Sequence, residues 1–247
     1  MKRRSNPRNI HRRPRKTDMI LQQPAARAEQ LILLYHGVGG EAAQMAPLGE
    51  LLAGQFPQAF IVSVQAPHEC DFASGWQWFS VRDITDANRP ERVAAAMPAF
   101  VDAITRWQQT AGVNAEATAL IGFSQGGVMA LESTKDRAPL AGRVVALGSR
   151  FAALPEVAIR GTTFHLLHGK EDAVMPYAHT VAAAERLVAL GCDVTADVIP
   201  FIGHSVDLDM VSLLIERLRN HLPARRWEEA LRSAATLAPG ARAGVSH

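Results

Sequence analysis

Apolar runs of strand length occur at residues 30–36, 59–64, 117–123, 143–147 and 162–168, with a final strand at 193–199 and a short edge strand at 19–21. The run at 30–36 has no polar alternation, as expected of a strand covered on both faces. Between these runs apolar residues recur at three- and four-residue spacing. The series are Leu48, Leu51 and Leu52; Val93, Met97, Phe100, Ile104 and Trp107; Val128, Met129 and Leu131; Val181, Ala184, Leu187 and Val188; and Leu208, Val211, Leu214, Ile215, Leu218 and Leu222. Each series predicts one inward helix face. Strands alternating with helices imply an α/β fold: a mostly parallel sheet with helices on both faces. Residues 65–89 show no periodic element yet hold Trp76, Trp78 and Phe79. A loop of that length in a compact domain is functional or disordered, and two tryptophans argue against disorder.

At 247 residues and 48% hydrophobic the chain is large enough to bury one full core, and a single domain is expected. No run approaches the roughly 18 apolar residues of a membrane span. The net charge of +2 conceals an uneven distribution, because residues 1–18 carry eight Lys/Arg against Asp18 alone. The remainder is therefore acidic, at −5. The pattern divides into a basic disordered leader (1–18), a folded domain (19–223) and a short amphipathic helix with a flexible tail (224–247). The leader lacks the apolar segment of a secretory signal, and no nucleic-acid partner is expected for the folded domain. Two cysteines, Cys70 and Cys192, suggest no disulfide framework and fit a reducing cytoplasm. A monomer or homodimer is expected.

Candidate chemistry centres on Gly122-Phe123-Ser124-Gln125-Gly126-Gly127, where a strand-like run turns into a helix-like one. A serine between such glycines fits a sharp strand-to-helix elbow that exposes its hydroxyl above a sheet. Serine is a poor nucleophile until a base takes its proton, and that base needs an orienting acid. In this arrangement the partners follow in the order acid, then histidine. His204 lies after the last strand and before the last helix, whereas His165, His179 and His221 fall within elements and His247 in the tail. His168 ends a strand but precedes any suitable acid. Asp172 follows the strand at 162–168, with Glu171 as its competitor, and Asp207 and Asp209 suit the start of the last helix. Two backbone N–H groups should hold a developing oxyanion, those of Gln125 and of Val38 in His36-Gly37-Val38-Gly39-Gly40.

These motifs, with His168-Gly169-Lys170-Glu171-Asp172, Gly203-His204 and Trp76-Gln77-Trp78-Phe79-Ser80, resemble those of the phospholipase/carboxylesterase family of the α/β-hydrolase fold. That family includes acyl-protein thioesterases and small bacterial esterases, and the resemblance runs from about Met19 to about Pro223. It implies Ser124, Asp172 and His204 as the triad and Val38 and Gln125 as the oxyanion donors. Gly40-Glu41 stands where acyl-protein thioesterases commonly have an Asp, which places the resemblance nearer the bacterial esterases. With about thirteen residues (149–161) where many lipases insert a cap, no large cap domain is expected and the site should be open. Trp76, Trp78, Phe79 and Met175 are candidates for an apolar acyl wall. The expected substrates are short to medium acyl esters or thioesters, with no cofactor and no metal.

Three other readings compete. Gly37-Val38-Gly39-Gly40-Glu41-Ala42 matches a dinucleotide fingerprint, but Gln65 and Ala66 stand where the ribose-binding acid belongs. His68-Glu69-Cys70-Asp71 holds four metal-capable side chains, yet neighbours in sequence converge poorly on one ion. A non-catalytic ligand-binding protein of the same fold is the alternative to an enzyme.

Overall fold

Each central strand sends alternate residues into two different cores, which is why its sequence reads as an unbroken apolar run. In β2 (Gln30–Tyr35), Leu31, Leu33 and Tyr35 enter one core, while Ile32 and Leu34 enter the other. The same split recurs in β3 (Ala59–Val64), β6 (Thr118–Phe123), β7 (Arg143–Leu147) and β8 (Thr163–Gly169). These side chains are nearly all fully buried, each contributing about 1.5–3 kcal/mol for a large aliphatic or aromatic group. The computed structural model describes residues 17–135 and 138–237. The expected leader lies outside the described residues except for Thr17 and Asp18, as does the tail from 238 onward.

The main sheet has seven strands in the order β1-β3-β2-β6-β7-β8-β9, with β1 at Met19–Gln22 and β9 at Asp193–Ile199. Every pairing is parallel except that of β1 with β3. On one face pack α2 (Arg89–Ala111), α3 (Gln125–Glu132) and α4 (Ala178–Ala189); on the other pack α1 (Ala46–Gln55) and α5 (Leu208–Asn220). This is the expected α/β architecture in one domain. The chain leaves β2 toward β3 on one side and returns to β6 on the other. The carboxyl ends of β2 and β6 therefore form a switch point, the place where open parallel sheets bind ligands. Asp18 ties the chain ahead of β1 into this frame: it accepts from Gln65 N at 2.9 Å, Arg106 at 2.7 Å and Trp107 Nε1 at 2.8 Å.

The buried face of α4 is turned from the expected one by one position, whereas α1 and α5 bury most of the residues expected of them. In α4 the buried residues are Thr180, Ala183 and Leu187, while Val181 and Val188 are exposed. Leu51, Leu208 and Leu222 are likewise exposed. An apolar side chain beside a stripe is indistinguishable from one within it until the packing partner is known. The long segment 65–89 also has structure of its own. Short strands β4 (His68–Glu69) and β5 (Trp76–Gln77) pair antiparallel, and Trp76 exchanges backbone hydrogen bonds with Gly39 and Gly40. Gly75, at φ +127°, permits this approach, since a Cβ there would lie 2.1 Å from the Gly39 carbonyl oxygen. A last helix, α6 (Ala224–Leu237), follows Pro223 and exposes Trp227 and Leu231.

Candidate active site

Ser124 links β6 to α3 with φ 50° and ψ −118°. This region costs a non-glycine residue about 1–3 kcal/mol and persists only where the surroundings impose it. Here they do: Ser124 N–H donates to the Leu147 carbonyl at 2.9 Å, and its own carbonyl accepts from Ser149 Oγ at 2.7 Å. The flanking glycines are required by space. A Cβ on Gly122 would lie 2.4 Å from Gly126 backbone atoms, and one on Gly126 would lie 2.4 Å from the Tyr35 carbonyl oxygen.

The loop after β9 carries His204 to this elbow, and the loop after β8 carries Asp172. His204 Nε2 lies 2.9 Å from Ser124 Oγ, and Nδ1 lies 2.6 Å from Asp172 Oδ2. The acceptor-only carboxylate fixes the proton on Nδ1, which leaves Nε2 to accept from the serine hydroxyl. Asp172 is buried, which pushes its carboxyl upward. The N–H groups of Met175 (2.7 Å) and Val174 (2.9 Å), together with His204, outweigh this and hold it below the usual carboxylate range. Glu171, the competing acid, is exposed. Asp207 caps α5, accepting from Met210 N at 3.0 Å.

The loop after β2 is shaped by His36. Its Nε2 accepts from Ala66 N at 3.1 Å, so Nδ1 carries the proton and donates to the Gly37 carbonyl at 2.8 Å. Burial lowers its pKa and keeps the ring neutral. A Cβ on Gly37 would lie 3.2 Å from Ser124 Cβ, which sets this loop, and Val38 within it, directly against the elbow. Gln125, the first residue of α3, has a buried side chain with a separate task. Its Oε1 accepts from Trp78 N at 2.8 Å and its Nε2 donates to the Phe79 carbonyl at 2.8 Å.

Trp76, Trp78 and Phe79 occupy the core. Trp78 Nε1 donates to the His36 carbonyl at 2.9 Å, and its ring meets Tyr35 and Phe100 edge-on. These residues hold the segment 65–89 against the first loop, and none of them lines the groove that opens beside Val38. Met175 is half-buried and acts through its backbone, donating to Asp172 and accepting from His168 Nε2 at 2.7 Å. In the tetrad 68–71, Asp71 accepts from Ser80 Oγ at 2.6 Å and from the N–H groups of Val81 and Arg82, which closes the same segment.

Sequence order set His168 aside, yet it stands against the acid. Its Nε2 is 3.2 Å from Asp172 Oδ2, and its Nδ1 is 2.7 Å from Thr180 Oγ1. Gly148, at φ +52°, and Ser149 complete the surroundings; a Cβ on Gly148 would lie 3.4 Å from Asp172 Oδ2. The position of His168 in the same short motif as Asp172 was the available signal, but only the fold shows that the ring turns back toward the carboxylate.

The chain is similar to known esterases over most of its length. The chain is 46% identical over 212 residues to Esterase YpfH of Escherichia coli (strain K12), covering 86% of this chain and 91% of that protein. It is 33% identical to Acyl-protein thioesterase 1 of Gibberella zeae over 122 residues, 46% of this chain and 52% of that protein. Among solved structures, the crystal structure of esterase PE8 superimposes with a TM-score of 0.77 at 26% identity, covering 83% of this chain and 99% of that one. The profile of the Phospholipase/Carboxylesterase family matches residues 16–222, a span that includes every strand and the three loops that meet at Ser124. With the family's sequence pattern and its fold both present, the chain belongs to the phospholipase/carboxylesterase family of α/β-hydrolases.

Proposed function

We propose that this hydrolase is a serine esterase that cleaves short to medium acyl esters or thioesters through an acyl-enzyme. The observation that carries the reading is the unbroken hydrogen-bonded chain from Ser124 Oγ through His204 to Asp172, at 2.9 and 2.6 Å. His204 Nε2 takes the hydroxyl proton as Ser124 Oγ attacks the ester carbonyl carbon. The carbonyl oxygen becomes an oxyanion held by the N–H groups of Val38 and Gln125, each worth about 3 kcal/mol of barrier. Collapse of this intermediate breaks the bond to the leaving oxygen or sulfur, which receives the proton from His204. A water then repeats the sequence on the acyl-enzyme, releasing the acid and restoring Ser124. Asp172 orients His204 and stabilises its transient positive charge. The nearness of Gly37 to Ser124 and the position of Gln125 at the start of α3 support the two donors.

The 46% identity to an esterase favours carboxylic esters as the substrate class. No helix among the described residues is long and apolar enough to cross a membrane, and Cys70 and Cys192 are unpaired. The two free cysteines support placing the activity in a reducing cytoplasm. The test is a fluorophosphonate probe with p-nitrophenyl butyrate turnover. Ser124 should be labelled, and Ser124→Ala and His204→Ala should each lower kcat by about 10⁴–10⁶, with the double variant little lower still. An unlabelled protein, or near-normal turnover in either variant, overturns the assignment.

A further inference from the structure

Three exposed apolar side chains with no evident role in folding share one location. Leu51 of α1 (42% exposed), Leu208 at the start of α5 (71%) and Val38 (39%) line a single groove of about 580 Å³, with Phe123 and Val211 among its other walls. Exposed apolar groups that converge in this way mark a binding surface, and the volume is that of a small-molecule site. The ionisable side chains that border the groove are already engaged, and the other polar one, the exposed Gln44, is a neutral amide. His36 has both ring nitrogens bonded, one to the Gly37 carbonyl in its own loop and one to the Ala66 N–H after β3, and Asp207 caps α5. The groove therefore favours an uncharged, apolar occupant.

Its position relative to Ser124 identifies which part of a substrate it receives. Phe123 precedes Ser124, and its ring packs on the imidazole of His204 with centroids 4.8 Å apart. Val206 and Leu208, two and four residues beyond His204, continue the same wall. In the mechanism above His204 Nε2 must protonate the leaving oxygen, so that oxygen sits beside the imidazole. The rest of the alcohol then extends along the flank of His204, toward Phe123 and the groove beyond. We infer that the groove between α1 and the start of α5 binds the leaving alcohol of the ester, and that the alcohol is an uncharged alkyl chain. This rests on the serine-esterase reading and adds which side of the ester is selected.

The experiment uses two ester series: acetates of alcohols from ethanol to octanol, and methyl esters of acids from acetate to octanoate. Each is assayed with the full chain and with Leu51→Trp and Leu208→Trp, which fill the groove from exposed positions. In the wild type kcat/KM should rise about tenfold or more from ethyl to hexyl acetate, since each buried methylene adds to binding. Both variants should lose that rise while ethyl acetate and the methyl-ester series change less than twofold. Hexan-1-ol should inhibit ethyl acetate turnover in the wild type and not in Leu208→Trp. Flattening of the acyl series instead, or no change in either series, overturns the inference. Because ethyl acetate turnover and fluorophosphonate labelling would survive that outcome, it is distinct from failure of the serine-esterase reading.

Discussion

Asp172 is shared between two histidines: His204 Nδ1 at 2.6 Å and His168 Nε2 at 3.2 Å both approach its Oδ2. His168 and the Asp172 carboxylate are wholly removed from solvent. Burial lowers the His168 pKa and keeps the ring neutral. Nε2–H donates to the Met175 carbonyl and the Thr180 hydroxyl donates to Nδ1. A neutral ring held in this way places a partial positive charge against the carboxylate without adding a net charge.

His168 is therefore expected to act as a positioning residue. His168→Leu keeps the volume but leaves the Met175 carbonyl without its partner and the Thr180 hydroxyl with only the 3.4 Å bond to the Ser149 carbonyl, which should cost about 1–3 kcal/mol of stability. Turnover should also fall by about tenfold, equivalent to about 1.4 kcal/mol of barrier, with KM unchanged. His168→Gln, whose amide can donate to the same carbonyl, should restore part of the turnover. Calorimetry alongside kcat and KM checks this; a loss of stability with unaltered kcat would limit His168 to folding.

A second buried histidine predicts the acid limb of stability. His165 lies in β8 with Nδ1 2.8 Å from Thr195 Oγ1 and Nε2 unpartnered. Burial first, then the neighbouring Arg143 and His221, push its pKa down to about 3. The unfolded chain binds this proton near pH 6.5 and the folded one does not, so stability is complete above about pH 6.5 and falls as pH drops toward about 3. Urea melts at pH 7, 5.5 and 4.5 should show a decline in the wild type and a shallower one in His165→Asn. Parallel declines would assign the effect to other groups.

Gly126→Ala tests the elbow. The added methyl would lie 2.4 Å from the Tyr35 carbonyl oxygen and 2.7 Å from that of His36, so β2 and α3 must separate. A loss of about 1–3 kcal/mol or more is expected, together with loss of fluorophosphonate labelling in whatever protein remains folded. Gly54→Ala serves as the control, since a Cβ there meets nothing within 4 Å. Equal melting temperatures for the two variants would refute the steric account.

Gln125→Glu separates the side chain of this residue from its backbone. The carboxylate can accept from Trp78 N but cannot donate to the Phe79 carbonyl, and it places a charge in a buried site. Protection of the Trp78 amide from hydrogen exchange should fall, and the melting temperature should drop by several degrees. Unchanged protection would show that the hairpin at 65–89 holds itself.

The segment 65–89 shows where sequence reading stopped. Its tryptophans were legible as ordered, because such rings do not stay in water without cause, but the same apolarity serves a substrate wall and a core equally well. Only the partners of Trp78, the His36 carbonyl and the rings of Tyr35 and Phe100, place it in the core. The orientation of α4 was ambiguous for a related reason. Val181 and Leu187 differ in burial because of the sheet beneath them, and a helical repeat alone does not locate that sheet.

The sequence by itself determined the order of strands and helices, the two-sided burial of the sheet, and the elbow at Ser124 with its candidate partners Asp172 and His204. Those features follow from local patterning, glycine sterics and chain order, all of which are properties of neighbouring residues. The tertiary structure decided that His168 turns back onto Asp172, that the tryptophan segment braces the loop after β2, and that Leu51 and Leu208 open a groove rather than fill a core. Each of these depends on residues far apart in the chain meeting at the carboxyl edge of one sheet, and distance through space is not encoded in spacing along it.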